Sequence, residues 1–349
     1  MKKSLYTLLL LINIPTFACD VCSTYDFSQD QSNTFVGLFR QYSFFSGYNN
    51  LSSAKSFQFN QYQARPQHAV DTKDYIINPS NNDYESTLTH SLFINHNIKN
   101  KFLLQLSIPY TKSVSYLNQV FPLNFGQVQD TLVSTQGLGD IKFSVYKTLL
   151  INKKKVKHRL NYGVGLSIPT GRFDLREKND FVDIRHLPGT GVWSFSPRIQ
   201  YFNSINSTFG ISALALYNRS SQRKTTSSVA TGTGKIVSKS GQYRFGDVVS
   251  LQTLAYYTIH IYQLSLIPKV GIQFTNEAQD IFQGEMIKHT GVSLTEGILG
   301  AEVRYKHLGL RFNYLKPLSQ SIKDKQSLKV GAYQVGLYYN FGEAQCSKN

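Results

Sequence analysis

Thr87-Leu88-Thr89-His90-Ser91-Leu92-Phe93-Ile94-Asn95-His96-Asn97-Ile98-Lys99-Asn100-Lys101-Phe102-Leu103-Leu104-Gln105-Leu106-Ser107-Ile108-Pro109-Tyr110-Thr111 decides the fold. Leu88, Leu92 and Ile94 alternate with Thr87, Thr89, Ser91 and Asn95. After the turn Asn97–Lys101, Leu104, Leu106, Ile108 and Tyr110 alternate with Gln105, Ser107 and Thr111. Period two places the two sets on opposite faces of an extended chain. Runs of about 9–11 residues suffice to cross a bilayer as tilted strands. Alternation at this length, with short turns on one side and long polar loops on the other, predicts a transmembrane β-barrel.

Working outward, the pattern repeats near 34–45, 86–96, 101–114, 138–150, 157–168, 192–203, 207–218, 244–258, 261–275, 296–305, 308–317 and 328–341. The fold class is all-β, a closed antiparallel barrel of about twelve strands. Short connections fall around Asn97–Lys101, Asn152–Val156, Asn203–Asn206, His260 and Lys306–His307. The intervening ones are longer. Short turns of such barrels face the periplasm, so both chain ends are expected there.

A charge on the lipid face near mid-bilayer costs about 2–4 kcal/mol, so charged residues alternating with apolar ones belong to the lumen. That reasoning assigns Asp140, Lys142, Arg159, Arg198, Lys269, Glu302, Arg304 and Arg311 to the lining. Cations outnumber anions among them, which predicts a preference for anionic or polar solutes. Arg40 breaks the pattern, because it shares a face with Val36, Leu38 and Tyr42.

The ends indicate export. Lys2 and Lys3, the apolar stretch Leu5–Ile14 and Thr16-Phe17-Ala18 read as a signal peptide over 1–18. Residues 19–33 form a periplasmic tail with Cys19 and Cys22, 34–341 the barrel and 342–349 a C-terminal tail. Cleavage after Ala18 leaves a free amine beside the Cys19 thiol, a ligand set for Cu(I) or Zn(II). Lipidation of Cys19, a disulfide involving Cys346 and idle thiols are the competing readings. No segment reaches about 20 apolar residues, which excludes a membrane-spanning helix. A mean hydropathy of -0.26, together with 22 Tyr and 23 Phe, suits a polar lumen and aromatic girdles.

The formal charge of +16 is spread along an exported chain, so nucleic acid is excluded as a partner. The basic stretch Asn218–Arg244 carries Arg219, Arg223, Lys224, Lys235 and Lys239. It reads as a solvated extracellular loop against lipopolysaccharide phosphates. The expected partners are outer-membrane lipids, small solutes and the barrel-assembly machinery. No Gly-x-Ser-x-Gly or His-Glu-x-x-His pattern occurs, so neither catalysis nor a cofactor is expected. His90 and His96, six apart, are too far separated to hold one ion and read as rim or contact residues.

Ala18-Cys19-Asp20-Val21-Cys22, Phe35-Val36-Gly37-Leu38-Phe39-Arg40-Gln41-Tyr42, Gly137-Leu138-Gly139-Asp140 and Ile168-Pro169-Thr170-Gly171-Arg172 resemble a family of uncharacterised, transporter-like outer-membrane proteins. The Gly-Leu-Gly-Asp and Pro-Thr-Gly pieces are also similar to barrels named for the MetA pathway of phenol degradation, within a wider group of fatty-acid and aromatic-hydrocarbon channels. The resemblance implies a barrel over nearly the whole mature chain. Members often carry a third Cys soon after the second; here Ser23, Thr24 and Tyr25 follow. Gly137 and Gly139 are expected to let a loop enter a strand, and Gly163 and Gly165 to leave lumen space. The functional expectation is a passive pore or transporter for small polar or anionic solutes in a Gram-negative outer membrane. The alternatives are an envelope metal-handling barrel and a closed structural or adhesive one.

Overall fold

The computed structural model describes residues 34–48, 57–58, 75–77, 83–122, 129–153, 156–173, 186–206, 208–230, 236–286, 290–322 and 327–341. The signal peptide 1–18, the tail with Cys19 and Cys22, Lys235, and Cys346 within the tail 342–349 lie outside the described residues.

Twelve strands form the barrel: β1 Phe35–Tyr48, β2 Tyr84–Ile98, β3 Phe102–Pro122, β4 Ile141–Lys153, β5 Val156–Ile168, β6 Ser194–Ser204, β7 Phe209–Ser220, β8 Val248–Tyr257, β9 Leu264–Glu277, β10 Val292–Tyr305, β11 Leu308–Ile322 and β12 Ser327–Asn340. Each pairs antiparallel with its sequence neighbours, and β12 returns to β1 in the register Phe35↔Asn340 to Tyr42↔Tyr333. Closure leaves no lateral edge, the condition a sheet must meet in hydrocarbon, where unpaired backbone groups find no water.

The short-turn end is set by local chemistry. Lys99 and Asn100 both have positive φ (51° and 55°), the conformation of a tight primed hairpin turn, and Asn100 N–H donates to Asn97 Oδ1 at 2.9 Å. Lys306 and Tyr262 take the same left-handed conformation at two other turns of this end.

Alternation resolves into an outside and an inside. Leu38, Val270, Leu299, Leu310 and Leu337 stand on the exposed apolar face. Thr89, Ser91, Asn95, Gln273 and Asn313 fill the buried one. An apolar exterior around a polar interior is stable in lipid and unstable in water. Arg40 lies on the outer face, opposite His90 of β2 and Val335 of β12. It is half-buried, two and four positions before Tyr42 and Phe44, whose rings stack at 5.8 Å.

The walls continue past the bilayer-spanning minimum into the long-loop end. Here β3 changes partner: Phe102–Ser107 pairs with β4, whereas Tyr110–Val120 pairs with Gln129–Leu138. The latter segment and β4 therefore form one strand broken at Gly139-Asp140. The stretch expected as a loop over Asn218–Arg244 is instead a hairpin, Arg223–Ala230 with Ile236–Arg244, extended by Ile281–Phe282.

Candidate functional site

Two opposite walls of the interior carry the charge. On β9–β12, Glu302 is wholly buried and gathers three cations. Arg311, directly opposite in register, donates from Nη2 at 2.5 Å and from Nε at 2.8 Å. Arg304 Nε donates to the other carboxylate oxygen at 2.6 Å, and so does the Tyr338 hydroxyl, also at 2.6 Å. Lys269 Nζ stands 3.8 Å away. A buried carboxylate holds its charge only when surrounded in this way. Two strand positions along, on the same inner face as the rest of this wall, Gln334 bridges Asn313 at 2.9 Å and Gln41 at 3.1 Å. Higher up, Glu296 pairs with Lys329 at 2.7 Å.

On β4–β6 the cations meet rings. Arg159 stacks on Phe202, 4.7 Å from its centroid. Arg198 lies 5.9 Å from the Tyr146 centroid. Tyr146, Gly163 and Arg198 face one another across three strands. A Cβ on Gly163 would run into the Val145 carbonyl and the Tyr146 Cα, so its absence permits close approach of β5 to β4 rather than leaving open lumen. A Cβ on Gly165 would press on Ser144 Oγ at 2.7 Å. The hydroxyl of Tyr146, Nε of Arg198 and Oε1 of Gln200 are buried with no hydrogen-bond partner among the described residues. Lys142 continues the same inner face, opposite Ser107 and Ser167.

Asp140 belongs to a third arrangement, at the break in the wall. It is buried and accepts hydrogen bonds from Gly171 N at 2.9 Å, Thr190 N at 2.8 Å and Thr190 Oγ1 at 2.5 Å. Gly171 and Gly189 cross so closely that a Cβ on Gly171 would stand 2.6 Å from the Gly189 Cα. Arg172 N donates to Leu138 O and Gly189 N to Arg172 O, at 3.0 and 2.9 Å. The chain leaving β5 and the chain entering β6 are thereby tied to the broken strand. From that crossing, His186 reaches inward: its carbonyl accepts from Thr135 Oγ1, and its Nε2 lies 3.6 Å from Glu85 of β2.

The basic stretch divides. Arg223 donates to the Thr190 carbonyl at 2.6 Å and lies over Phe173, part of the same crossing. Arg219 and Lys224 are exposed. Lys239 stands on the second hairpin strand, next to Ser227 in register. This hairpin is anchored through Tyr243, whose hydroxyl donates to the fully buried Asp280 at 2.6 Å.

Sequence reasoning missed Glu296, Lys329 and Tyr338. Glu296 has the parity of Glu302 and was legible once β10 is extended to Val292. Lys329 faces inward because a register shift separates it from Gly331, which no alternation rule anticipates.

No family model matches the chain, and no curated protein matches it. Among solved structures, an outer membrane channel from Pseudomonas putida F1 is similar at 12% identity, with a TM-score of 0.61 over 92% of this chain and 100% of that one. The Pseudomonas putida toluene transporter TodX shows 8% identity and a TM-score of 0.40 over 88% of each chain. The NanC porin shows 8% identity and a TM-score of 0.39, over 86% of this chain and 98% of its own. At 12% identity the first of these is a likeness of fold: the chain has the twelve-strand architecture of an outer-membrane barrel.

Proposed function

We propose that this chain is exported by a cleaved signal peptide and carries small polar or anionic solutes across a Gram-negative outer membrane. The observation that supports this most is on the basic inner wall of β4–β6, where Arg198 lies over the Tyr146 ring and its Nε makes no hydrogen bond among the described residues. Such stacking leaves the positive charge available to a passing anion. In this reading the short turns and both chain ends are periplasmic, the long loops meet lipopolysaccharide outside, and the solute passes between the β4–β6 wall and the Glu302 wall.

The test is a planar-bilayer recording on refolded full-length protein. Reversal potentials in a salt gradient should report anion preference, weakened at high salt as charges are screened. Cation selectivity at low salt would count against the proposal. Topology is checked separately: a tag at Ser227 should be reachable on intact cells, and one within 153–155 should not.

A further inference from the structure

We infer that the inner wall of β4–β6 holds a carboxylate-binding subsite for a small organic acid with an apolar body, formed by Arg198, Tyr146 and Gln200. The inference rests on the transport reading above and gives it a ligand class and a place.

Three buried polar atoms of different chemistry lie at neighbouring inward positions there. Tyr146 is 1% exposed and Gln200 3% exposed. The Tyr146 hydroxyl, Arg198 Nε and Gln200 Oε1 each lack a hydrogen-bond partner among the described residues. Buried polar groups are nearly always satisfied, because leaving one unmade costs about 1–3 kcal/mol in most folded proteins. The rule has other exceptions in this interior: Gln252 Oε1 and Asn313 Oδ1 also make no hydrogen bond among the described residues, and the Glu296 carboxylate is held only by its ion pair with Lys329. Tyr146, Arg198 and Gln200 differ from these in lying together on one wall. Arg198 and Gln200 are inward positions of one strand, and Tyr146 meets Arg198 across Gly163.

The donors set the ligand's charge. A guanidinium Nε–H and a phenolic O–H are a matched pair for a carboxylate, whose two oxygens accept both. Gln200 Oε1 can only accept, so it answers a hydroxyl or water carried beside the carboxylate. The surroundings set the rest of the ligand. Arg198 is opposite Leu216 and Gln200 opposite Leu214 on β7. Phe202 lies two residues beyond Gln200, and an apolar patch of Leu254, Ile298, Leu315 and Ala332 continues from β8 around the inner wall. Inorganic anions would gain nothing from that surface; an acid with a ring or short chain would.

Sodium benzoate is the probe, titrated by calorimetry into the refolded full-length protein in detergent at constant ionic strength, with benzyl alcohol and chloride as comparators. Benzoate should bind at least about tenfold more tightly than either. Arg198→Gln should weaken benzoate about tenfold or more and Tyr146→Phe several-fold, while Lys306→Gln, at an exposed turn, changes nothing. Equal affinity for benzyl alcohol, or benzoate binding untouched by both variants, overturns the subsite. Should Arg198→Gln lose the heat-dependent gel shift of a folded barrel, Tyr146→Phe and Arg198→Lys decide the matter instead. The two readings fail separately. A barrel that conducts ions but ignores benzoate refutes the subsite alone, and one that binds benzoate without conducting refutes the conduit alone.

Discussion

The β9–β12 wall turns Lys269, Arg304, Arg311 and Lys329 inward and the β4–β6 wall turns Lys142, Arg159 and Arg198 inward, and the two walls use their cations differently. Lys269, Arg304 and Arg311 converge on one carboxylate, with Lys269 and Arg311 almost entirely buried. Arg159 lies on the Phe202 ring, and Arg198 lies on the Tyr146 ring with its Nε making no hydrogen bond among the described residues. The first wall is a cross-brace, holding four strands by charge-assisted bonds. The second is a presented surface. Inward charge is therefore a poor measure of what a solute meets; what matters is whether the charge is already engaged.

The sharpest way to break this comparison is Glu302→Gln. Removing one partner of a buried ion cluster leaves uncompensated cations and costs about 3–5 kcal/mol. The urea unfolding midpoint should fall accordingly, and an unchanged midpoint would mean the brace is ornamental. Asp140→Asn tests a second internally saturated carboxylate. Losing charge-assisted bonds to Gly171 and Thr190 should cost about 2 kcal/mol and speed proteolytic nicking near the crossing. Arg198→Gln sharpens the contrast from the other side. Stability should change by less than about 1 kcal/mol, as for a group with few internal bonds, while the reversal potential moves toward cations. A stability loss approaching that of Glu302→Gln would erase the distinction between the walls. Replacing Cys19 and Cys22 by Ser supplies the baseline: unfolding should stay within about ±0.5 kcal/mol, because the pair precedes the first strand.

Much of this architecture was legible in the residues. Period two persists through most of each membrane-crossing run, so the strand count and the side of most charges follow from alternation, Lys329 beyond its register shift being an exception. Arg40 shows the limit of the rule: its outward position follows from parity, but its tolerance depends on height and on His90 across the register. The hairpin at Arg223–Arg244 was invisible because Thr225, Thr226, Ser227 and Ser228 supply no apolar period. The ion cluster was visible only as separate charges. Glu302 meets Arg311 through inter-strand register, and register is a property of pairs of strands that no single run encodes. Gly139 was recognised as a place where a strand is disturbed, yet the two further glycines that cross beside it come from distant loops.

The seam between β1 and β12 has a consequence for assembly. Every other neighbouring pair in the ring is joined by one stretch of chain, short at the hairpin turns and longer at the opposite end. The seam alone unites the two ends of the chain, from Phe341 N–H donating to Thr34 O up to Tyr48↔Ser327. A nascent chain lacking its last strand would expose two raw edges at once, with nothing in lipid to satisfy them. A chain truncated before Ser327 should therefore aggregate or be degraded rather than enter the membrane as a smaller barrel.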